Sequence, residues 1–311
     1  MITLGLLFGG RSAERDVSVA GAREVEKALN KEKYEIRRYD AAEDIEMLVR
    51  DSRELDCVFI LLHGRYGEDG TVQGLLELLD VPYQGSGVLG SALAMDKHLS
   101  KVVYREAGIN TPKWLHLERT SRPEPAEVLE RIRLPFIVKP CNQGSSVGIR
   151  IIRQEDEIIP GIEEAFRWDD EIILEEFITG REITGGVIGL DNLETLPIVE
   201  IIPDASRYEF FDYEAKYKPG ATREVCPAEI PDDQARTARN LASRAHRALK
   251  LTGYSRTDMI IDQSGEIFVI ETNTIPGMTP TSLFPQAAAA AGLDFSSLLD
   301  RLIELAMRKR H

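Results

Sequence analysis

The stretch that most constrains this chain is RTDMIIDQSGEIFVIETNTIPGMTPTS, from Arg256 to Ser282. Two runs within it are apolar on both alternating sets, with Thr257, Met259, Ile261, Phe268 and Ile270 on one and Ile260, Ile267 and Val269 on the other. That pattern predicts a hairpin covered on both faces, because successive strand side chains point to opposite sides of a sheet. A two-residue turn at Ser264 and Gly265 sets Asp258 opposite Glu271 and Arg256 opposite Asn273, all on one face. Two carboxylates facing each other at the end of a covered hairpin repel unless one is protonated or a cation lies between them. Asp, Glu and Asn are oxygen donors of the kind that Mg²⁺ prefers, usually shared with substrate phosphates. A salt-bridge net of Arg256 with the two acids satisfies the same residues, so the hairpin alone leaves both arrangements open.

The 311 residues suffice for two or three domains, and 43% hydrophobic with 29% charged residues is an ordinary globular composition. A net charge of -14 excludes general affinity for nucleic acid or an anionic membrane, so any phosphate site must be local. Cys57, Cys141 and Cys226 are widely spaced without metal-ligand rhythm, which fits a reducing cytosol. MITLGLLFGG is too short for a signal peptide or membrane span, and a cytoplasmic location is expected.

Taken in order, ITLGLLF, a helical pattern from Val17 to Leu29, YEIRRY, DIEMLVRD and CVFILLH alternate as in a parallel α/β sheet. Function in such sheets gathers at the carboxyl ends of the strands, where Gly9, Gly10, Ser12, Glu14 and His63 fall. Glu14 would repel a phosphate and better suits a substrate amine. His63, with Glu68 nearby, is either a packed histidine or a ligand of a polar substrate. A long helical pattern, VLGSALAMDKHLSKVVYREAG, ends at Gly108 and carries Lys97 and Lys101 one turn apart, by default solvated. The strands TPKWLHL and LPFIVKP flank the helix PAEVLERI, and CNQGSSVGIRII follows as a glycine-serine loop. Beside Lys139, that loop is either a cover for phosphates or a simple hairpin connection. After the strand EIILEEFI and the turn TGREIT comes IPDASRYEFFDYEAKYKPGATREVCPAEI, long enough to act as a lid. PDDQARTARNLASRAHRALKL and FSSLLDRLIELAMRK read as amphipathic helices, the second a packing helix.

Lys139 on a strand, the flap from Gly144 to Gly148, Glu175 to Ile178 before a connector, and the final hairpin together resemble the ATP-grasp fold. HGRYGEDGTVQG, AMDK, VKPCNQGSSVG, FFDYEAKY and ETNTIPGMTPTS, in this order over nearly the whole length, are similar to the D-alanine–D-alanine ligase family. The resemblance implies an α/β fold, α+β in its C-terminal part, with nucleotide between two antiparallel sheets. It implies three domains at 1–94, 95–181 and 182–311. The implied reaction joins two D-alanines for peptidoglycan synthesis at the expense of ATP, through a D-alanyl phosphate.

By the same resemblance, Asp258, Glu271 and Asn273 hold two Mg²⁺ or Mn²⁺ ions, while Lys97, Lys139 and Lys216 contact phosphate oxygens. Glu175, Glu182 and Ile178 bind adenine and ribose. Arg256 and the N–H of Gly277 serve the oxyanion. Glu14 pairs with the first amino group, helped by His63 and linked to Ser145 and Tyr217, and Ser282 and Leu283 position the second D-alanine. A monovalent cation activator and a homodimer through the N-terminal domain are also implied. Tyr217 favours a dipeptide over a D-alanyl-D-lactate ester. Gln143, Glu176 and Phe211 depart from the residues common in the family, which touches ATP contacts and lid closure. Two other readings are a different ATP-grasp carboxylate–amine ligase, D-alanyl-D-lactate enzymes included, and a nucleotide-binding protein without chemistry.

Overall fold

The computed structural model describes residues 1–121, 123–144, 147–203 and 222–308. Among them three sheets follow one another along the chain. β1 (Ile2–Phe8), β2 (Tyr34–Asp40) and β3 (Cys57–Ile60) form a parallel sheet in the order β2-β1-β3, with α1 (Arg15–Ala28), α2 (Ile45–Asp51) and α3 (Thr71–Leu78) after them. The expected alternation is therefore present. Next come α4 (Val88–Met95) and α5 (Lys97–Glu106), then an antiparallel sheet in the order β4-β7-β5-β6. Its strands are β4 (Trp114–Glu118), β5 (Phe136–Pro140), β6 (Arg150–Ile152) and β7 (Glu171–Glu176), with α6 (Pro125–Leu129) and α7 (Ile158–Ala165) between them. The third sheet comprises β8 (Gly180–Gly189), β9 (Glu194–Thr195), β10 (Val199–Pro203), β11 (Thr222–Val225), β12 (Gly253–Asp262) and β13 (Ile267–Asn273). It runs β11-β10-β8-β12-β13, with β9 also paired to β8.

Helix α8 (Asp232–Ala248) packs Ala238, Leu241, Ala242 and Ala245 onto Met259, Ile261, Ile267 and Val269 of the β12–β13 hairpin. Its 3–4 spacing of small apolar residues lets the helix lie close to the sheet. The two last helices, α9 (Leu283–Ala290) and α10 (Phe295–Arg308), return to the first sheet. Leu298, Leu302 and Ile303 of α10 share one core with Leu4, Leu6 and Phe59. Burying each such side chain contributes about 1.5–3 kcal/mol, so the C-terminal helix ties the hairpin's sheet to the N-terminal one.

The structure corrects five expectations. The hairpin turn is not two residues: Asp262 N–H donates to the Glu266 carbonyl at 2.9 Å, leaving Gln263, Ser264 and Gly265 as the loop, with Gly265 at φ 89°. Near this turn Met259 pairs with Val269 and Ile261 with Ile267, so Val269 and Ile267, rather than Phe268 and Ile270, share the buried face. A register shift after Asp258 then restores the pairing of Asp258 with Glu271 and Arg256 with Asn273. Ile270 is the extra residue, a one-residue bulge that cancels the longer turn.

The pattern from Val88 to Gly108 is two helices, broken at Asp96, whose extended backbone (φ -79°, ψ 109°) and side-chain bond from Leu99 N–H at 2.9 Å start α5. Lys101 on α5 is not solvated but buried. The two ends of the stretch expected to act as a lid are strands: β10 pairs with β11 from Glu200 opposite Val225 to Pro203 opposite Thr222, and residues 204–221 lie outside the described residues. Helix α7 and the short strand β9 carried no signal strong enough to predict them.

Candidate active site

The carboxyl ends of the first sheet, the β5–β7 pair and the β12–β13 hairpin enclose a cleft of about 730 Å³. Glu14, His63, Lys97, Lys139, Glu175, Ile178, Glu182, Arg256, Asp258, Glu271, Asn273, Gly277, Ser282 and Leu283 all line it. Ser145, Lys216 and Tyr217, with Phe211, lie outside the described residues. Gln143 and Glu176 line the same cleft.

At the hairpin, Asp258 lies opposite Glu271 on one side and Thr184 on the other. Arg256 donates to both Asp258 oxygens, from Nε at 2.9 Å and Nη2 at 2.8 Å. Thr184 Oγ1 donates to Asp258 Oδ1 at 2.6 Å and Asn273 Nδ2 to Oδ2 at 3.1 Å. The salt-bridge arrangement therefore exists for the Arg256–Asp258 pair. It does not exclude a cation, since the Asn273 amide oxygen and the Glu271 carboxylate complete a hard-oxygen donor set on the same face. Among the described residues no three His, Cys, Asp or Glu side chains converge into a ready cage. The set thus fits ions that share their coordination with phosphate oxygens.

Beneath the cleft, Glu175 bridges two lysines, pairing with Lys101 Nζ at 2.5 Å and with Lys139 Nζ. Burial raises the proton affinity of this carboxyl, and the two lysines outweigh it, so the net shift is downward and Glu175 stays ionised. Burial likewise weakens the hold of Lys101 on its proton, with Glu175 acting against it. Lys97 sits at the foot of the flap, where its Nζ donates to the Gln143 carbonyl at 2.6 Å and its N–H to the Cys141 carbonyl at 3.1 Å.

On the opposite wall, Glu14 and His63 are buried. A Cβ on Gly64 would come within 2.5 Å of Glu14 Oε2, and one on Gly144 within 2.6 Å, so two glycines make room for this carboxylate. Gly144 brings the flap to Glu14. Glu68 accepts from Gly64 N–H at 2.7 Å, and burial, then Glu14, push its carboxyl up to about 8. Burial lowers the proton affinity of His63, with Glu14 opposing. Ser282 precedes the first turn of α9, its Oγ accepting from Thr279 N–H at 3.2 Å. That places a helix N-terminus, favourable to a carboxylate, at the cleft wall.

The D-ala D-ala ligase C-terminus family matches residues 103–304, and its N-terminus counterpart residues 40–86. A D-alanine–D-alanine ligase of Syntrophobacter fumaroxidans is 53% identical over 98% of this chain and 98% of its own. The chain belongs to the D-alanine–D-alanine ligase family. A second D-alanine–D-alanine ligase, from Desulfotalea psychrophila, is 51% identical over 99% of this chain and 96% of its own. The crystal structure of the Bacillus anthracis ligase complexed with ATP matches at TM-score 0.87 with 37% identity, covering 99% of this chain and 98% of its own. That of the VanG D-Ala:D-Ser ligase of Enterococcus faecalis matches at 0.84 with 33% identity over 98% and 99%. The fold is accordingly the ATP-grasp fold of this ligase family.

Sequence reasoning missed three residues at or behind the cleft: Glu68 lines it, Lys101 pairs with Glu175 behind it, and Thr184 bonds Asp258. Lys101 is on the buried face of α5 with Ser100 and Tyr104, three residues away, and that spacing was its only signal. Thr184 is recognisable only through its register with Asp258. Glu68 was noted beside His63 but given no role of its own.

Proposed function

We infer that this chain ligates two D-alanine molecules to D-alanyl-D-alanine with conversion of ATP to ADP and phosphate, as a step of peptidoglycan precursor synthesis. The observation that carries the reading is the meeting, in one cleft, of a lysine pair, a hard-oxygen donor set, Arg256 and a buried carboxylate suited to an ammonium. Glu14 takes the ammonium of the first D-alanine, beside His63, and holds its carboxylate toward the phosphate end. Lys97 and Lys139 neutralise phosphate oxygens, with Ile178 and Glu182 along the nucleotide's base and ribose; Glu175, both of its oxygens paired with lysines, stands behind Lys139 rather than against the base. Bound Mg²⁺ or Mn²⁺, two ions held by Asp258, Glu271 and Asn273, supplies the remaining charge neutralisation that phosphoryl transfer requires.

The substrate carboxylate oxygen bonds to the γ-phosphorus as the bond to ADP breaks. The amine of the second D-alanine, its carboxylate at Ser282 and Leu283 on the α9 N-terminus, then attacks the acyl carbon and phosphate leaves. Arg256 and the Gly277 N–H stabilise the oxyanion of that step; such a donor contributes ~3 to 4 kcal/mol. Ser145, Lys216 and Tyr217 are proposed, from the resemblance alone, for flap and lid closure. A monovalent cation is proposed as an activator on the same basis.

We read the chain as units 1–94, 95–181 and 182–311, supported by the succession of three sheets. A homodimer is supported by the outer face of α3 and α4, where Leu78 is 88% and Leu89 55% exposed. No described helix is long and apolar enough to cross a membrane, and a cytoplasmic site of action is proposed. Purified protein given ATP, Mg²⁺ and D-alanine is expected to release phosphate and form the dipeptide in equal amounts. No phosphate above background contradicts the reading. Turnover only with D-lactate or D-serine as second substrate moves it to the depsipeptide or D-Ala:D-Ser class.

A further inference from the structure

Lys101 is the buried charge that the reaction above does not use. It is 1% exposed and does not line the cleft, yet it stands directly behind residues that do. Its Nζ donates to Thr111 Oγ1 at 2.8 Å, pairs with Glu175 Oε2 at 2.5 Å and lies 5.8 Å from the centre of the Trp114 ring. Two oxygens and an aromatic ring therefore face the ammonium. Glu175, itself 2% exposed, offers its other oxygen to Lys139, which lines the cleft. The charges thus run Lys101, Glu175, Lys139 from the interior outward.

Two lysines on one carboxylate leave one positive charge unbalanced. An unbalanced buried charge is costly unless an anion completes it. Because Lys101 is buried behind the cleft and Lys139 lines it, the side open to an anion is that of Lys139. Glu271 also faces Lys101 from β13, but it belongs to the donor set assigned to cations.

We propose that Lys101 is a positioning residue for the nucleotide: by claiming one oxygen of Glu175 it keeps that carboxylate from fully neutralising Lys139, which therefore meets the cleft as a cation aimed at phosphate. A lysine paired alone with Glu175 presents a neutral pair to the same phosphate. The inference rests on the nucleotide reading of the cleft given above.

The test compares Lys101→Met with the double variant Lys101→Met/Glu175→Gln, in which Lys139 again carries an unopposed charge and no carboxylate is left buried without its partner. Calorimetric titration with MgADP reads nucleotide affinity directly, and steady-state assays separate KM from kcat. Lys101→Met is expected to weaken MgADP binding and raise the KM for ATP about tenfold, equivalent to about 1.4 kcal/mol. Its kcat at saturating ATP and its KM for D-alanine should move by less than about twofold, a split that general loosening of the fold does not produce. The double variant is expected to regain most of the affinity.

Wild-type binding of MgADP by Lys101→Met overturns the proposal. So does a folded double variant that stays as weak as the single one, which makes Lys101 a packing residue. Should Lys101→Met fail to fold, the double variant alone decides: near-wild-type affinity supports the proposal and a tenfold loss contradicts it. Failure of the parent protein to bind MgADP at all instead removes the nucleotide reading, a different outcome from any of these.

Discussion

Asp258 accepts four hydrogen bonds, from Arg256 twice, Thr184 and Asn273, and so is fixed before any ligand arrives. Those donors hold the carboxylate where a bound cation would meet the phosphates; the cation would neutralise their charge, and taking it up would require one of the four donors to give way. Replacing Asp258 or Glu271 by alanine is expected to reduce turnover at ordinary Mg²⁺ by at least about a thousandfold, read as phosphate release. Full activity in both variants would return the hairpin to a purely structural role. These acids were legible as a pair, because two carboxylates facing each other at the end of a covered hairpin need a cation or a salt-bridge net, and the hairpin alone left both open. Glu14 was legible because an acid in the turn between β1 and α1 would repel a phosphate and suits a substrate amine. Lys101 was not: a lysine on an amphipathic helix is ordinarily solvated, and its partner Glu175 is far away in sequence, on β7. Thr184 is chemically unremarkable until a neighbouring strand sets it beside Asp258.

At the level of elements, the hairpin shows how a register can be right at one end while the turn is wrong at the other. Apolar residues fill both alternating sets on each side of DQSGE, so neither the length of the loop nor the bulge at Ile270 could be read from them. What was legible is the requirement that Asp258 and Glu271 share a face, and the bulge meets that requirement. The break at Asp96 was hidden similarly, since α4 and α5 continue one helical pattern with only a capping side chain between them. The packing of α8 on β12 has its own consequence. His246 on α8 is buried, bonded through Nδ1 to Ser255 Oγ at 2.8 Å, and Nε2 has no partner. Burial, then Arg247, lowers its pKa from 6.5 to about 4. The folded protein refuses a proton that the unfolded chain accepts, so stability is present above pH 6.5 and is lost as pH falls toward 4, by about 3 kcal/mol in all. Urea midpoints measured from pH 7 to 4 should fall accordingly and flatten in His246→Gln. An unchanged slope in that variant would assign the loss to other groups.

Over the whole molecule, three sheets each bring one part of the chemistry to a common cleft, and α10 closes the chain back onto the first of them. The succession of sheets was legible from strand patterns, whereas their arrangement around one cleft followed from the family resemblance alone, because periodicity carries no information on how sheets face each other. The exposed face of α3 and α4 adds a prediction at this scale. If the homodimer proposed above forms, Leu78→Lys with Leu89→Glu should convert it to a monomer in light scattering after size exclusion; a parent protein of monomer mass contradicts the dimer, and an unchanged dimer mass places the interface elsewhere. The central claim is that the first D-alanine is activated as an acyl phosphate at this cleft. It is tested most directly with D-alanine carrying ¹⁸O in its carboxylate, given with unlabelled ATP and Mg²⁺. The account predicts one ¹⁸O atom in each phosphate released, transferred from the carboxylate as the peptide bond forms; phosphate without the label would contradict it.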